Sequence, residues 1–204
     1  MPGMGGSLTR KQRTRERILA SAGRVFRRKG YAGSGVDQLM REAGLTHGGF
    51  YAHFRSKEAL FAEAVARALG RTVELMEKEA GDLKGVAWLR GAVSRYLSRA
   101  HVEAVQEGCP MPALVSELGR AGDAPREAFE ARMLELLADV ADKVPPGPGL
   151  EPEDRLLATV ALCVGGVSLA RAVKDPALSD RILRACRKLA VPEAVPPRQE
   201  EGPR

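Results

Sequence analysis

Hydrophobic residues recur at helical spacing along most of this 204-residue chain, and the N-terminal third shows the pattern most clearly. One apolar stripe is formed there by residues three, four or seven positions apart: Ile18, Leu19, Ala22, Val25 and Phe26. Such spacing is typical of an amphipathic helix. The stripe predicts a helix that begins near Arg10 and ends at Gly30, because glycine is common just past a helix end.

Two shorter segments and a long helix follow. Ser34 is placed to cap a short helix over residues 36–43 with its hydroxyl group. A glycine-containing turn then leads to Thr46, which is a cap candidate for a third, shorter helix. Ser56 precedes a long apolar pattern and predicts a helix over residues 57–80.

The rest of the chain repeats this pattern between breaks rich in glycine and proline. Further helices are predicted near residues 85–106, 112–120, 125–143, 152–173 and 178–190. No alternation of β-branched residues at period two is present, so strands are not expected. The predicted fold is all-α with about nine helices, between a glycine-rich disordered arm over residues 1–9 and a loose, proline-rich tail over residues 191–204.

The three helices predicted between residues 10 and 56 have the order and the turn of a helix-turn-helix unit. In such a unit the second helix of the pair enters the major groove of DNA. Phe50 and Phe54, four residues apart, would anchor that helix to the core. His47 and Tyr51 have the same spacing and would share a face directed at DNA.

Two adjacent glycines interrupt this segment, which reads GLTHGGFYAHF. Each glycine inside a helix costs about 1 kcal/mol relative to alanine. Because a small residue lets the backbone come close to bases and phosphates, we interpret Gly48 and Gly49 as a point of close approach to DNA. Glycine has no side chain to read a base edge, so we expect little direct readout there.

Charge is concentrated at the N-terminal end. Residues 1–60 hold 12 basic and 4 acidic side chains, a balance of +8, whereas the remaining residues hold 20 basic and 22 acidic side chains, a balance of −2. This asymmetry indicates a polyanionic partner, with nucleic acid first and an anionic membrane surface second. A solvated basic face without a partner is the alternative.

Other classes of protein are disfavoured. No run of 18 uninterrupted apolar residues is present and residues 1–8 lack the apolar core of a signal peptide, so we expect a cytoplasmic protein without a membrane span. The three cysteines are widely spaced, which argues against both a disulfide framework and a structural zinc site. We expect no metal, no cofactor and no enzymatic activity.

Residues 13–65 also carry a set of short motifs in a fixed order. The set comprises R-x-x-I-L-x-x-A-x-x-x-F-x-x-x-G-Y from Arg15, the Gly44-Leu45 turn, F-Y-x-H-F from Phe50 and S-K-E-x-L from Ser56. In this combination the segment resembles the TetR-type transcriptional regulators. The resemblance implies a homodimeric DNA-binding protein, most often a repressor that a small-molecule effector releases from a pseudo-palindromic operator in double-stranded DNA.

The resemblance also implies a domain order and a set of DNA contacts. The domains would be a helix-turn-helix domain over residues 10–56 and a ligand-binding and dimerisation domain over residues 57–190, with 57–80 as the connecting helix. The implied DNA-binding residues are Ser34, Thr46, His47, Gly48, Gly49, Tyr51, His53 and Lys57. Among them Lys57 matches a lysine that clamps phosphate. The family more often has a larger residue at one of the two glycine positions.

By the same resemblance, the last two long helices pair across a two-fold axis. The first would contribute Leu156, Val160, Cys163, Val164 and Val167, and the second Ile182, Ala185, Cys186 and Leu189. Gly165 and Gly166 would permit close approach of the helices. An ordinary intramolecular core is the alternative for each stripe taken singly.

A ligand pocket can be sketched only as candidates. They are Trp88, Tyr96, Cys109, Met111, Phe129 and Met133, and plain core is the alternative for each. Cys109 carries the further hypothesis of a reactive sensor, which would need a lowered thiol pKa. No lysine or arginine lies close to it in the sequence, so a small buried hydrophobic residue is the favoured alternative.

A rival interpretation is a small-molecule-binding or enzymatic all-α domain with an incidental basic arm. The two interpretations differ in how DNA affinity responds to salt. A regulator should lose affinity steeply as salt rises, through counterion release, and should keep a preference for one sequence.

Overall fold

The structure, a computed structural model, describes residues 8–147 and 149–191, and within them the chain is helical without β-strands. The helices are α1 (Arg10–Lys29), α2 (Val36–Glu42), α3 (Lys57–Ala80), α4 (Gly85–Tyr96), α5 (Arg99–Glu103), α6 (Met111–Leu118), α7 (Asp123–Val140), α8 (Pro152–Ala172) and α9 (Pro176–Ala190). Two 3-10 turns cover His47–Gly49 and Ala141–Lys143. The all-α prediction is confirmed. The predicted arm and tail lie outside the described residues, apart from Leu8, Thr9 and Val191.

The described chain forms two compact units. The first contains residues 8–81 and 103–142, with α1, α2, α3, α6 and α7. The second contains residues 82–102 and the chain from 143 onward, with α4, most of α5, α8 and α9. The helix-turn-helix segment therefore shares a unit with α6 and α7, which follow it at a distance in the sequence.

The core of the first unit is built on the predicted stripe of α1. Ile18, Ala22 and Phe26 are fully buried, and Phe26 packs edge-on against Phe61 of α3 with ring centroids 5.0 Å apart. The helix begins at a capping box between Thr9 and Gln12, which satisfies N–H groups that the first turn leaves free. The stripe prediction is confirmed.

The predicted long helix near residues 85–106 is wrong, because the structure divides it. α4 ends at Tyr96 and α5 begins at Arg99. Between them Ser98 accepts a hydrogen bond from the backbone N–H of His101 at 3.2 Å through its hydroxyl oxygen. Serine competes well for such N-terminal positions, so it starts a new helix at this point.

In the second unit α8 packs against α9 and α4. By length and composition alone, α8 could cross a membrane, although only 28% of its most apolar window is buried inside the protein. A core helix of a soluble protein meets the same criterion, so this observation is weak by itself. What matters for packing is that apolar side chains occupy both the inner and the outer face of α8.

Candidate nucleic-acid interface

The predicted recognition helix is wrong in its length. His47–Gly49 form a 3-10 turn, in which the N–H of Phe50 donates to the carbonyl of His47 at 2.9 Å. A single further turn follows, where the N–H of Phe54 donates to the carbonyl of Phe50 at 3.0 Å. Thr46 occupies the cap position, but its side chain makes no capping bond. Adjacent glycines lower helix propensity at the point where a continuous helix would have to begin.

The two faces of this segment follow the predicted division. Phe50 and Phe54 are buried, with ring centroids 6.0 Å apart. Tyr51 is 66% exposed, and its ring lies 6.1 Å from that of His47, whose side chain is 50% exposed. The predicted anchors are therefore confirmed as anchors, and they hold an exposed pair of rings on the other side. We call Thr46, His47, Gly48 and Tyr51, all exposed, the recognition surface.

The fold does not require glycine at either of the paired positions. Neither Gly48 nor Gly49 has a positive φ, whereas the nearby Gly44 does, at 65°. A Cβ added at Gly48 would meet nothing within 4 Å, and one at Gly49 would make an ordinary contact with the methyl group of Met40 at 3.6 Å. The two glycines therefore leave an open surface on an unstrained backbone.

An acidic residue that the sequence did not single out reaches this surface. Oδ1 of Asp37, in α2, lies 2.5 Å from Nδ1 of His47. Both side chains are exposed, at 74% and 50% respectively. Asp37 is one of the 4 acidic residues among residues 1–60, and nothing else in the sequence distinguishes it. Spacing could not reveal the pair, because it joins two separate elements.

The side chain of Lys57 is partly buried and contacts Tyr31. Its ammonium group donates to the backbone carbonyl of Tyr31 at 2.8 Å and lies 4.1 Å from the centre of the Tyr31 ring. Burial lowers the pKa of Lys57, because it disfavours the charged ammonium, while the nearby charge of Glu117 acts in the opposite direction. The lysine thus holds the turn between α1 and α2 in this structure.

Glu117 of α6 holds the same turn from the other side. Its carboxylate accepts the backbone N–H of Tyr31 at 2.6 Å and also lies against Gly30, where a Cβ would meet Oε1 at 2.7 Å. Gly30 has a φ of 76°, a region that favours glycine. Nothing local in the sequence around Glu117 points to this contact, since the two partners are separated by 86 positions.

The predicted capping role of Ser34 is wrong. Gly35 occupies the cap position of α2, and Ser34 is fully buried with its hydroxyl donating to the carbonyl of Gly30 at 2.6 Å. The hydroxyl therefore closes the turn. The contact with phosphate that the family resemblance implies for Ser34 stays a prediction. The buried side chain offers no exposed atom for such a contact.

His53, two positions after Tyr51, is partly buried. Its Nδ1 has no hydrogen-bond partner among the residues that the structure describes. Arg15 approaches the same region from α1, where its guanidinium lies 4.7 Å from the ring centre of Phe54 and pairs with Glu63. In the sequence Arg15 stands out only as the first residue of the motif that ends at Tyr31.

The candidate pocket residues divide between the two units. Trp88 and Tyr96 belong to the second unit, whereas Cys109, Met111, Phe129 and Met133 belong to the first. Trp88 is buried, and its indole N–H has no hydrogen-bond partner among the described residues. Cys109 is buried too, and the charge of Arg27 lies close enough to interact with it electrostatically. The fold thus brings a basic residue near this thiol, whereas no lysine or arginine lies close to Cys109 in the sequence.

The residues predicted for the dimer interface fall on both faces of their helices. Three are buried within the chain itself: Leu156, Cys163 and Val167. The others keep exposed area: Val160, Val164, Ile182, Ala185, Cys186 and Leu189. A Cβ at Gly166 would meet Leu97 at 2.9 Å and Cys186 at 3.0 Å, whereas one at Gly165 would meet nothing within 4 Å. Gly166 therefore permits close packing within the chain.

Known proteins are similar to this chain in sequence. Residues 18–64 match the family described as bacterial regulatory proteins, tetR family. The HTH-type transcriptional regulator LmrA of Bacillus subtilis is 28% identical over 79% of this chain and 88% of its own length. The HTH-type transcriptional repressor NemR of Escherichia coli is 32% identical over 35% of this chain and 38% of its own length. An uncharacterized regulator of B. subtilis, YerO, is 37% identical over 35% of this chain, which spans only 25% of YerO.

Solved structures agree over nearly the whole chain. A TetR-family regulator from Cytophaga hutchinsonii superposes with a TM-score of 0.72 at 23% identity, covering 91% of this chain and 96% of its own. A TetR regulator from Chloroflexus aurantiacus superposes with a TM-score of 0.71 at 25% identity, covering 90% and 95%. The likeness extends well past the segment that carries the sequence motifs.

Proposed function

Because the chain belongs to the TetR family of bacterial regulatory proteins, we propose that this DNA-binding transcriptional regulator is a repressor that a small-molecule effector releases from its operator. Regulators of this family bind DNA operators and effectors and act as dimers. The protein would act in the cytoplasm by binding alone, without a catalytic step. NemR, named as a repressor, supports the sign of regulation.

The observation that carries the proposal is the recognition surface itself. Exposed rings of His47 and Tyr51 stand on the buried anchors Phe50 and Phe54, in the part of the chain that matches the family. Large exposed side chains on a rigid support can reach base edges and phosphates in a major groove. The excess positive charge of residues 1–60 supplies the attraction to the DNA backbone.

Selection from a random duplex library tests this proposal. We expect one inverted-repeat sequence to be enriched, and we expect its affinity to fall steeply between low and moderate salt. Tyr51→Ala should weaken binding to that sequence while the dimer persists in sedimentation. Leu134→Ala, an equally exposed site on α7, is the control and should bind as the wild type does. Equal affinity for the selected and for random duplexes would refute the proposal.

Dimerisation is proposed through the outer face of α8 and α9. Large apolar side chains are exposed there: Leu157, Leu169, Leu178 and Leu189. Exposed apolar groups of this size on one helix pair usually mark an interaction site. A second copy of the chain would cover the same residues on both partners, as a two-fold interface requires, and would set the separation of two recognition surfaces.

The coupling to an effector is proposed to run through α3 and α6. α3 follows shortly after residues 46–54, which we call the recognition segment, and at its start the hydroxyl of Ser56 accepts the N–H of Ala59 at 3.0 Å. Lys57 of α3 and Glu117 of α6 bind the two backbone polar groups of one residue, the carbonyl and the N–H of Tyr31. An effector that binds one arrangement of α3 and α6 better than another would shift the turn at Tyr31 between α1 and α2. That shift would change how the two recognition surfaces of a dimer fit the two half-sites of the operator.

Trp88 offers a direct test of effector binding. It is the single tryptophan of the chain, so intrinsic fluorescence reports on this residue alone. Its buried N–H, without a partner among the described residues, supports a place near the effector, since a buried indole usually finds an acceptor. A compound that lowers DNA affinity should also change Trp88 emission. Release from DNA with unchanged emission would count against Trp88 as a pocket residue.

A further inference from the structure

We propose that Asp37 is a specificity-determining residue that acts through His47. The inference rests on the proposed DNA-binding role of the recognition surface. A carboxylate can only accept hydrogen bonds, so the 2.5 Å contact with Oδ1 places the ring hydrogen of His47 on Nδ1. In the neutral ring Nε2 is then an acceptor, and it is the ring nitrogen left for DNA.

This assignment predicts the kind of base that His47 contacts. In the major groove an acceptor pairs with an exocyclic amino group, which adenine presents at N6 and cytosine at N4. Guanine and thymine present acceptors at the corresponding positions. We therefore expect each half-site to place adenine or cytosine opposite His47. Without Asp37 the ring could turn or carry its hydrogen on Nε2, and this preference would be lost.

Asp37 has a second effect, which must be separated from the first. Its exposed negative charge repels phosphates, so its removal should raise the affinity for any duplex. Orientation of His47 affects only the preferred sequence. The ratio of affinities for the selected operator and for random DNA therefore isolates the orienting role, because a uniform charge effect cancels in that ratio.

Three substitutions in the full chain divide these effects. Asp37→Ala removes both the acceptor and the charge, whereas Asp37→Asn removes the charge and retains an acceptor oxygen. Glu42→Ala is the matched control: Glu42 lies on the same helix and is exposed, but its carboxylate pairs with Arg28 at 2.8 Å and not with His47. Affinities for the operator and for random duplexes are measured at one salt concentration.

We expect Asp37→Ala to lower the operator preference about tenfold, the scale of one good base contact. Asp37→Asn should keep most of the preference, and Glu42→Ala should change both affinities by the same factor. In a His47→Ala background, Asp37→Ala should leave the preference unchanged, since its partner is already gone. An equal loss of preference in Asp37→Ala and Glu42→Ala, or a loss that persists without His47, would overturn the inference.

Nitrogen-15 shifts of the histidine rings provide a readout that needs no DNA. The chain has 3 histidines, so the ring signals of His47 can be assigned by substitution. We expect the wild type to carry the hydrogen on Nδ1 and Asp37→Ala to shift toward a mixture of tautomers. An unchanged tautomer would overturn the role of Asp37 even if DNA binding is intact. A wild type that binds all duplexes equally would overturn the proposed function itself.

Discussion

The recognition segment and the α8–α9 pair both carry apolar residues at helical spacing, yet the spacing has different consequences in the two regions. In the recognition segment only one face is apolar, so Phe50 and Phe54 are buried and Tyr51 is exposed. In α8 both faces are apolar, so Val167 is buried within the chain while Leu169 remains exposed. The spacing of apolar residues identifies one apolar face of a helix. It shows that this face is the buried one only when the opposite face is polar.

Substitution on the outer face of α8 should give the largest effect on assembly of the dimer. Leu169 is 58% exposed, and burying a leucine contributes about 1.5–3 kcal/mol. A two-fold interface contains the residue twice, so Leu169→Glu should weaken the dimer by about 3 kcal/mol or more, over about 100-fold in Kd. Sedimentation over a range of concentrations measures this. Leu134→Glu, at a comparably exposed leucine on α7, is the control. If the Leu169→Glu protein sediments as the wild-type dimer does, the outer face is not the interface.

The anchors of the recognition segment come next. Phe50 is fully buried, so Phe50→Ala should lower the free energy of unfolding by about 3–5 kcal/mol through lost contacts and a cavity. Its neighbour Tyr51 is exposed, and Tyr51→Ala should change stability by less than about 0.5 kcal/mol. Urea unfolding followed by circular dichroism at one protein concentration measures both. Similar losses in the two variants would contradict the division of the segment into two faces.

The same difference explains what the sequence could predict. The stripe of α1 and the two buried phenylalanines were predictable because each apolar pattern lies within one short segment of the chain. The pair Asp37–His47 and the contact of Glu117 with Tyr31 were not, because each joins residues that only the fold brings together. The break at Ser98 was missed because the apolar pattern continues across it. For Leu156, Cys163 and Val167 the sequence left interface and intramolecular core open because α8 has two apolar faces, and the fold buries all three within the chain.

A substitution at Ser34 tests whether this residue contacts phosphate, as the resemblance implies, or closes a turn, as its hydrogen bond indicates. Its buried hydroxyl donates to the carbonyl of Gly30, so Ser34→Ala should lower the free energy of unfolding by about 1 kcal/mol. Operator affinity of the folded protein should stay within about twofold, since no exposed atom is lost. Anisotropy titration measures the operator affinity, and urea unfolding measures the free energy of unfolding. A tenfold loss of affinity at unchanged stability would instead support the phosphate contact that the resemblance implies.

Substitution at the paired glycines should give a small change in stability, and this change should have the opposite sign. Gly48 has no positive φ and open space around its Cβ position, so Gly48→Ala should raise the free energy of unfolding by about 0.4–1 kcal/mol. Operator affinity should fall nevertheless, because the added methyl group stands where we expect backbone to approach DNA. Gly44→Ala is the contrasting control, since its φ of 65° makes alanine costly by about 1–2 kcal/mol. A Gly48→Ala protein that is more stable and binds the operator as tightly as the wild type would show that the glycine is not retained for contact with DNA.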